Sequence, residues 1–265
     1  MKAKSAILEE LIPGSKKLYF IFGGVAAELA MPPFEFYTSA KIIEENKIFL
    51  RDFSQAWYQN GLPGVGNTFH AIGTFIEKKI AELEPEEVFF VGNSMGGYAA
   101  ILFASLVGKG TAIAFAPQTF VSPLKRLRHR EQRWSKQITK MHLRTALKTH
   151  VWDLKAWLTP RQTEAEIEIY VAEDSRLDYL HASYLKNLES VTVHEFPVGG
   201  HNLVKQLRDE GKLPAILSGH YMKPPVRIAP QSPNQRYGTR SSPQRPAVGA
   251  SVREVPSTTA EPRRS

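Results

Sequence analysis

Ser94 sits in the pentapeptide Gly92-Asn93-Ser94-Met95-Gly96; two aspartates, Asp174 and Asp178, follow downstream, and then His201 in Gly199-Gly200-His201. These are the residue types of nucleophilic acyl transfer. A serine hydroxyl attacks poorly until a base removes its proton, and the base works best when a carboxylate orients it. The chemistry in prospect is attack of Ser94 on an ester or thioester carbonyl, with His201 moving the proton and Asp178 or Asp174 orienting His201. The chain order Ser, Asp, His is the one expected around a G-x-S-x-G turn. The chain has no cysteine, which excludes disulfides, thiolate metal sites and a cysteine nucleophile.

The elements around these residues must bring them together. An apolar run, Val88 to Val91, reads as a strand that stops at Gly92, and the helix formers of Met95 to Val107 begin at once. So short a passage forces Ser94 into a sharp, strained turn, and glycine is needed on each side because a Cβ there would strike the neighbouring strand and helix. The turn also puts the hydroxyl beside a helix N-terminus, where developing negative charge is favoured. His201 follows a predicted late strand, Val191 to Phe196, and both aspartates follow the strand before it, Ile167 to Ala172. Of the two, one is expected to be the acid and the other to cap the next helix.

Further strands are predicted at Leu18 to Phe22, Ile48 to Phe53 and Thr111 to Ala116, with helices over Tyr37 to Glu45, Thr68 to Leu83 (Asn67 as its cap), Leu180 to Leu188 and Asn202 to Glu210. Strands alternating with helices, several of them apolar throughout, indicate an α/β fold with a mostly parallel sheet covered on both faces. The alternation breaks once, over Thr119 to Glu166, which reads as a mainly helical cap inserted before the strand that carries the acid. Residues 1–218 are expected to form one domain with this cap at 119–166. Residues 219–265, rich in Pro, Arg and Ser and poor in large apolar residues, are expected to be a disordered tail.

With Gly92-Asn93-Ser94-Met95-Gly96-Gly97 and Gly199-Gly200-His201 in this order, the chain resembles the α/β-hydrolase superfamily, in its serine esterase and thioesterase branch, over roughly Leu18 to Leu217. The resemblance implies Ser94 as nucleophile, His201 as general base and the backbone N–H of Met95 as one oxyanion-hole donor. The second donor is expected in the loop after the first strand, Gly23-Gly24-Val25. Phe22 stands where many lipases have histidine, so that donor is Gly24 or Val25. Such a mechanism requires no metal and no organic cofactor.

The net charge of +8 is unevenly placed: the tail from Gly219 carries +6, and Thr119 to Pro160 in the cap carries +8, leaving the rest at −6. The cap cations, Arg130 and Arg133 among them, either attract an anionic or carrier-linked acyl substrate or form a solvated helical face. Trp57 and Tyr58 either line an acyl pocket or pack in the core. His70, His129, His142, His150, His181, His194 and His220 show no metal-ligand spacing with carboxylates and are read as surface or core residues. The tail has two tyrosines for base stacking and no recognition module, so a nucleic-acid partner is not expected. No run of 18 apolar residues predicts a membrane span, and no signal segment is evident, so a cytoplasmic location is expected. The alternatives to hydrolysis are acyl transfer and a catalytically silent adaptor whose basic cap docks an acidic partner.

Overall fold

The computed structural model describes residues 5–25, 40–145, 150–161, 163–219 and 221. They lie within one compact unit, Met1–Lys223. Of the expected tail, 220 and 222–265 lie outside the described residues.

Seven strands form one sheet in the order β1-β3-β2-β4-β5-β6-β7. They are β1 (Ile7–Glu10), β2 (Lys17–Phe22), β3 (Asn46–Leu50), β4 (Glu87–Asn93), β5 (Thr111–Phe115), β6 (Glu166–Ala172) and β7 (Val191–Phe196). All neighbours run parallel except β1 against β3. The predicted strands are all present. β1 was not predicted, because a half-exposed edge strand, Ile-Leu-Glu-Glu, carries no apolar run to announce it.

The central strand shows why both faces are covered. Phe90 of β4 packs into the larger core with Phe20, Phe22 and Ala112, whereas Phe89 and Val91 point to the other face with Tyr19, Ile21 and Ile113. Successive side chains face opposite ways, so an unbroken apolar run feeds two cores. On the first face lie α1 (Phe69–Leu83) and α2 (Met95–Val107). α1 buries only the stripe Phe69, Ile72, Gly73, Ile76 and Ile80, while every residue of α2 from Met95 to Ser105 is buried, which explains its uniformly apolar sequence. Thr68 rather than Asn67 caps α1, its hydroxyl accepting from the Ala71 N–H at 3.2 Å.

The cap holds α3 (Pro123–His129), α4 (Ser135–Thr145) and α5 (Leu154–Leu158). Its ends are zipped together: Val121 and Ser122 donate to the Trp152 carbonyl, and Leu154 donates to that of Thr119. α6 (Arg176–Leu185) follows β6 and starts four residues earlier than expected. After β7, a 3-10 turn (Gly200–Asn202) leads into α7 (Leu203–Asp209) and α8 (Leu213–Leu217), whose apolar residues close the second face. The expected helix over Tyr37 to Glu45 falls partly on 37–39, outside the described residues; residues 41–45 run as a turn and irregular chain into β3.

Candidate active site

Ser94 has φ 57° and ψ −116°, a left-handed conformation that a residue with a Cβ holds at a cost of about 1–3 kcal/mol. The surroundings impose it. The Ser94 N–H extends the β4–β5 ladder to the Phe115 carbonyl at 2.9 Å, while its own carbonyl already accepts from the Tyr98 N–H at 3.0 Å in the first turn of α2. A Cβ on Gly92 would come within 2.2 Å of the Gly96 backbone. The glycines of the motif are therefore demanded by contact, as the sequence reading expects. Ser94 is 4% exposed, and among the described residues nothing hydrogen-bonds its hydroxyl. The Ser94–His201 bond of a working triad is therefore not made in this conformation, a bond that often tightens only around substrate.

His201 stands on the turn after β7. Its Nδ1 lies 2.9 Å from Oδ2 of Asp178, in the first turn of α6. Burial alone would raise the carboxyl pKa of Asp178, but hydrogen bonding and charge attraction from His201, with hydrogen bonds from Arg133 and Ser175, hold it well below the usual carboxylate range. An ionised carboxylate only accepts, so Nδ1 of His201 carries the proton and Nε2 is left as the basic atom.

Asp174 does something different. Its carboxylate accepts the backbone N–H groups of Gly199 at 3.2 Å and Gly200 at 2.9 Å, tying the β6–α6 loop to the loop that presents His201. Neither aspartate acts as the expected cap: the residue preceding α6 is Ser175, whose hydroxyl donates to Asp178 Oδ2 at 2.6 Å.

The two loops expected to supply oxyanion donors meet at the elbow. Met95 opens α2 and is fully buried, and a Cβ on Gly96 would lie 3.3 Å from the Gly23 backbone, just ahead of Gly24 and Val25. Trp57 and Tyr58 are also fully buried. Trp57 Nε1 donates to Gln118 Oε1 at 3.1 Å, and the Tyr58 hydroxyl lies 3.0 Å from the carbonyl oxygens of both Gly23 and Leu50. These contacts favour packing over an open pocket wall, with Tyr58 buttressing the loop that holds Gly24.

Arg130 is exposed at the C-terminus of α3, whereas Arg133 is half-buried and paired with Glu131 and Asp178. Sequence reading left Glu131, Ser175 and His181 out of the site. Glu131 and His181 are buried polar residues, 50 positions apart, with Nε2 of His181 3.3 Å from Glu131 Oε2. No spacing rule links them. Among the described residues no cluster of His, Asp and Glu could hold a metal, and no helix is long and apolar enough to cross a membrane.

No protein-family model and no curated protein matches the chain. Solved structures do. The capsule O-acetyltransferase of Neisseria meningitidis serogroup A aligns with a TM-score of 0.57 at 16% identity, covering 78% of this chain and 89% of that one. A mutant of that enzyme was solved in complex with CoA. MenH from S. aureus aligns at 0.52 and 13% identity, covering 81% and 97%, and a lipase-esterase related protein from Clostridium acetobutylicum at 0.50 and 16%, covering 79% and 99%. The structural neighbours thus include a capsule O-acetyltransferase and a lipase-esterase related protein, and this chain has the α/β-hydrolase fold.

Proposed function

We propose that this protein is a serine hydrolase cleaving an ester or thioester through an acyl-enzyme. The observation that carries the reading is the 2.9 Å contact between His201 Nδ1 and a buried, ionised Asp178, at the same C-terminal end of the parallel strands as a serine held at positive φ. Ser94 attacks the carbonyl carbon as His201 Nε2 takes its proton. The Met95 N–H and a donor at Gly24 or Val25 hold the oxyanion, each worth about 3 kcal/mol of transition-state stabilisation. The tetrahedral intermediate collapses, His201 returns the proton to the leaving group, and water activated by His201 releases the acyl group. Asp178 keeps the imidazole in the required tautomer throughout.

A fluorophosphonate probe tests this directly. Labelling of the wild type that vanishes in Ser94→Ala supports the nucleophile; a folded wild type that takes no label sinks the enzyme reading and favours the adaptor.

Acyl transfer to an acceptor other than water is the second reading, favoured by the likeness to an O-acetyltransferase solved in a CoA complex and by the cationic cap, which suits an anionic acyl carrier. Acetyl-CoA consumed only when a hydroxylated acceptor is added would establish transfer; equal consumption without acceptor would establish hydrolysis.

A further inference from the structure

The turn between α3 and α4 in the cap reaches the carboxylate that faces His201. Arg133 Nη1 lies 2.6 Å from Asp178 Oδ1, the oxygen opposite the one on His201. The same guanidinium is gripped by Glu131: Nε lies 3.2 and 3.0 Å from the two carboxylate oxygens, and Nη2 lies 2.7 Å from Oε2. Glu131 also accepts the Arg133 backbone N–H at 2.8 Å, and Arg126 Nη2 donates to the Arg133 carbonyl at 3.0 Å. Behind Glu131 stands His181, whose Nδ1 accepts the Thr119 N–H at 3.1 Å, so its proton sits on Nε2 and points to Glu131. Asp178, Glu131 and His181 are each at most 4% exposed, so water screens these charges poorly.

A cation this close to Asp178 opposes what an orienting acid does. The acid favours imidazolium through its negative charge. Arg133 offsets that charge, and Glu131 offsets Arg133. We propose that Arg133 and Glu131 are positioning residues that lock the Asp178 carboxylate in place and set the basicity of His201 with opposite signs, making the docked cap part of the base. Among the described residues the other groups near the pair are Arg126, whose charge acts on both Glu131 and Arg133, Asp174, engaged with the Gly199 and Gly200 N–H groups, the Ser175 hydroxyl on Asp178, and neutral His181 on α6. The catalytic consequence rests on the serine-nucleophile reading proposed above; the electrostatic one does not.

The experiment follows the His201 imidazole by NMR titration of the full chain, its signal assigned by its loss in His201→Gln. Arg133→Gln is expected to move the midpoint up by about one pH unit, Glu131→Gln to move it down, and Arg133→Lys to leave it within a few tenths. Opposite signs are the signature of charge tuning, since merely loosened packing would move both variants the same way. Shifts of like sign, or no shift in Arg133→Gln, overturn the proposal. Where Glu131→Gln does not fold, the Gln and Lys variants at Arg133 decide alone, equal midpoints overturning it. Fluorophosphonate labelling of the wild type is read in parallel. Opposite shifts without labelling retire the enzyme reading and keep the clamp; labelling without shifts does the reverse.

Discussion

A Cβ on Gly96 would lie 2.2 Å from the Phe22 carbonyl oxygen, so the first turn of α2 rests directly on the end of β2. This contact brings the serine elbow against the strand whose following loop contains Gly24 and Val25. Gly96→Ala is expected to cost about 3 kcal/mol or more, because backbone and not a yielding side chain blocks the methyl group. Gly108→Ala, at φ 80° with nothing within 4 Å, should cost only about 1 kcal/mol. Urea unfolding of the two variants makes the comparison; equal losses would contradict the close approach.

The two aspartates divide their work, and kinetics should separate them. Asp178→Asn is expected to lower kcat about 10⁴-fold with KM little changed, since the amide can hold the wrong imidazole tautomer. Asp174→Asn loses charge-assisted bonds to two backbone N–H groups of the His201 loop and should cost about 10-fold. Turnover of an aryl ester measures both, and a larger loss at Asp174 would reverse the roles.

Tyr58 joins the ends of β2 and β3 through the Gly23 and Leu50 carbonyls. Tyr58→Phe keeps the packed ring but removes the one hydroxyl proton the two carbonyls share; Leu50 still accepts the Gly23 N–H, so the expected loss is about 1 kcal/mol in denaturant unfolding. If stability stays unchanged, the hydroxyl is not the tie described.

Acid should weaken the cap contact. Burial alone would raise the Glu131 carboxyl, yet the bonds from His181 and Arg133 bring it from 4.5 down to about 2. A depressed folded pKa gives stability that is present above the unfolded value and lost as pH falls through the folded one. Denaturant midpoints should therefore drop between about pH 4.5 and pH 2, with a flatter slope in Glu131→Gln. An identical slope in that variant would remove Glu131 as the source.

The elbow was legible because much of its constraint is local: a strand, a glycine-flanked serine and a helix are contiguous, and the clash of a Cβ on Gly92 with the Gly96 backbone follows from that adjacency, whereas Gly96 is required by the distant Phe22 carbonyl. His201 was legible from its glycine-rich loop after a late strand. Asp174 and Asp178 could not be told apart, being four residues apart on one loop-helix junction where each could plausibly face the histidine. Arg133 was singled out with Arg130 as a cation that could attract an anionic substrate, and its pairing with Asp178 could not be read because that partner lies 45 residues away.

The sequence by itself determined the alternating elements, the two buried faces of the sheet and the strained turn at Ser94, since each arises from residues near one another along the chain. Only the tertiary structure decided which carboxylate meets His201, that Asp174 instead secures the loop, and that Glu131 and Arg133 bear on both. Those outcomes depend on where α6 and the cap turn come to lie across the strand ends, and the energies that place them come from burial and charge pairing between distant segments.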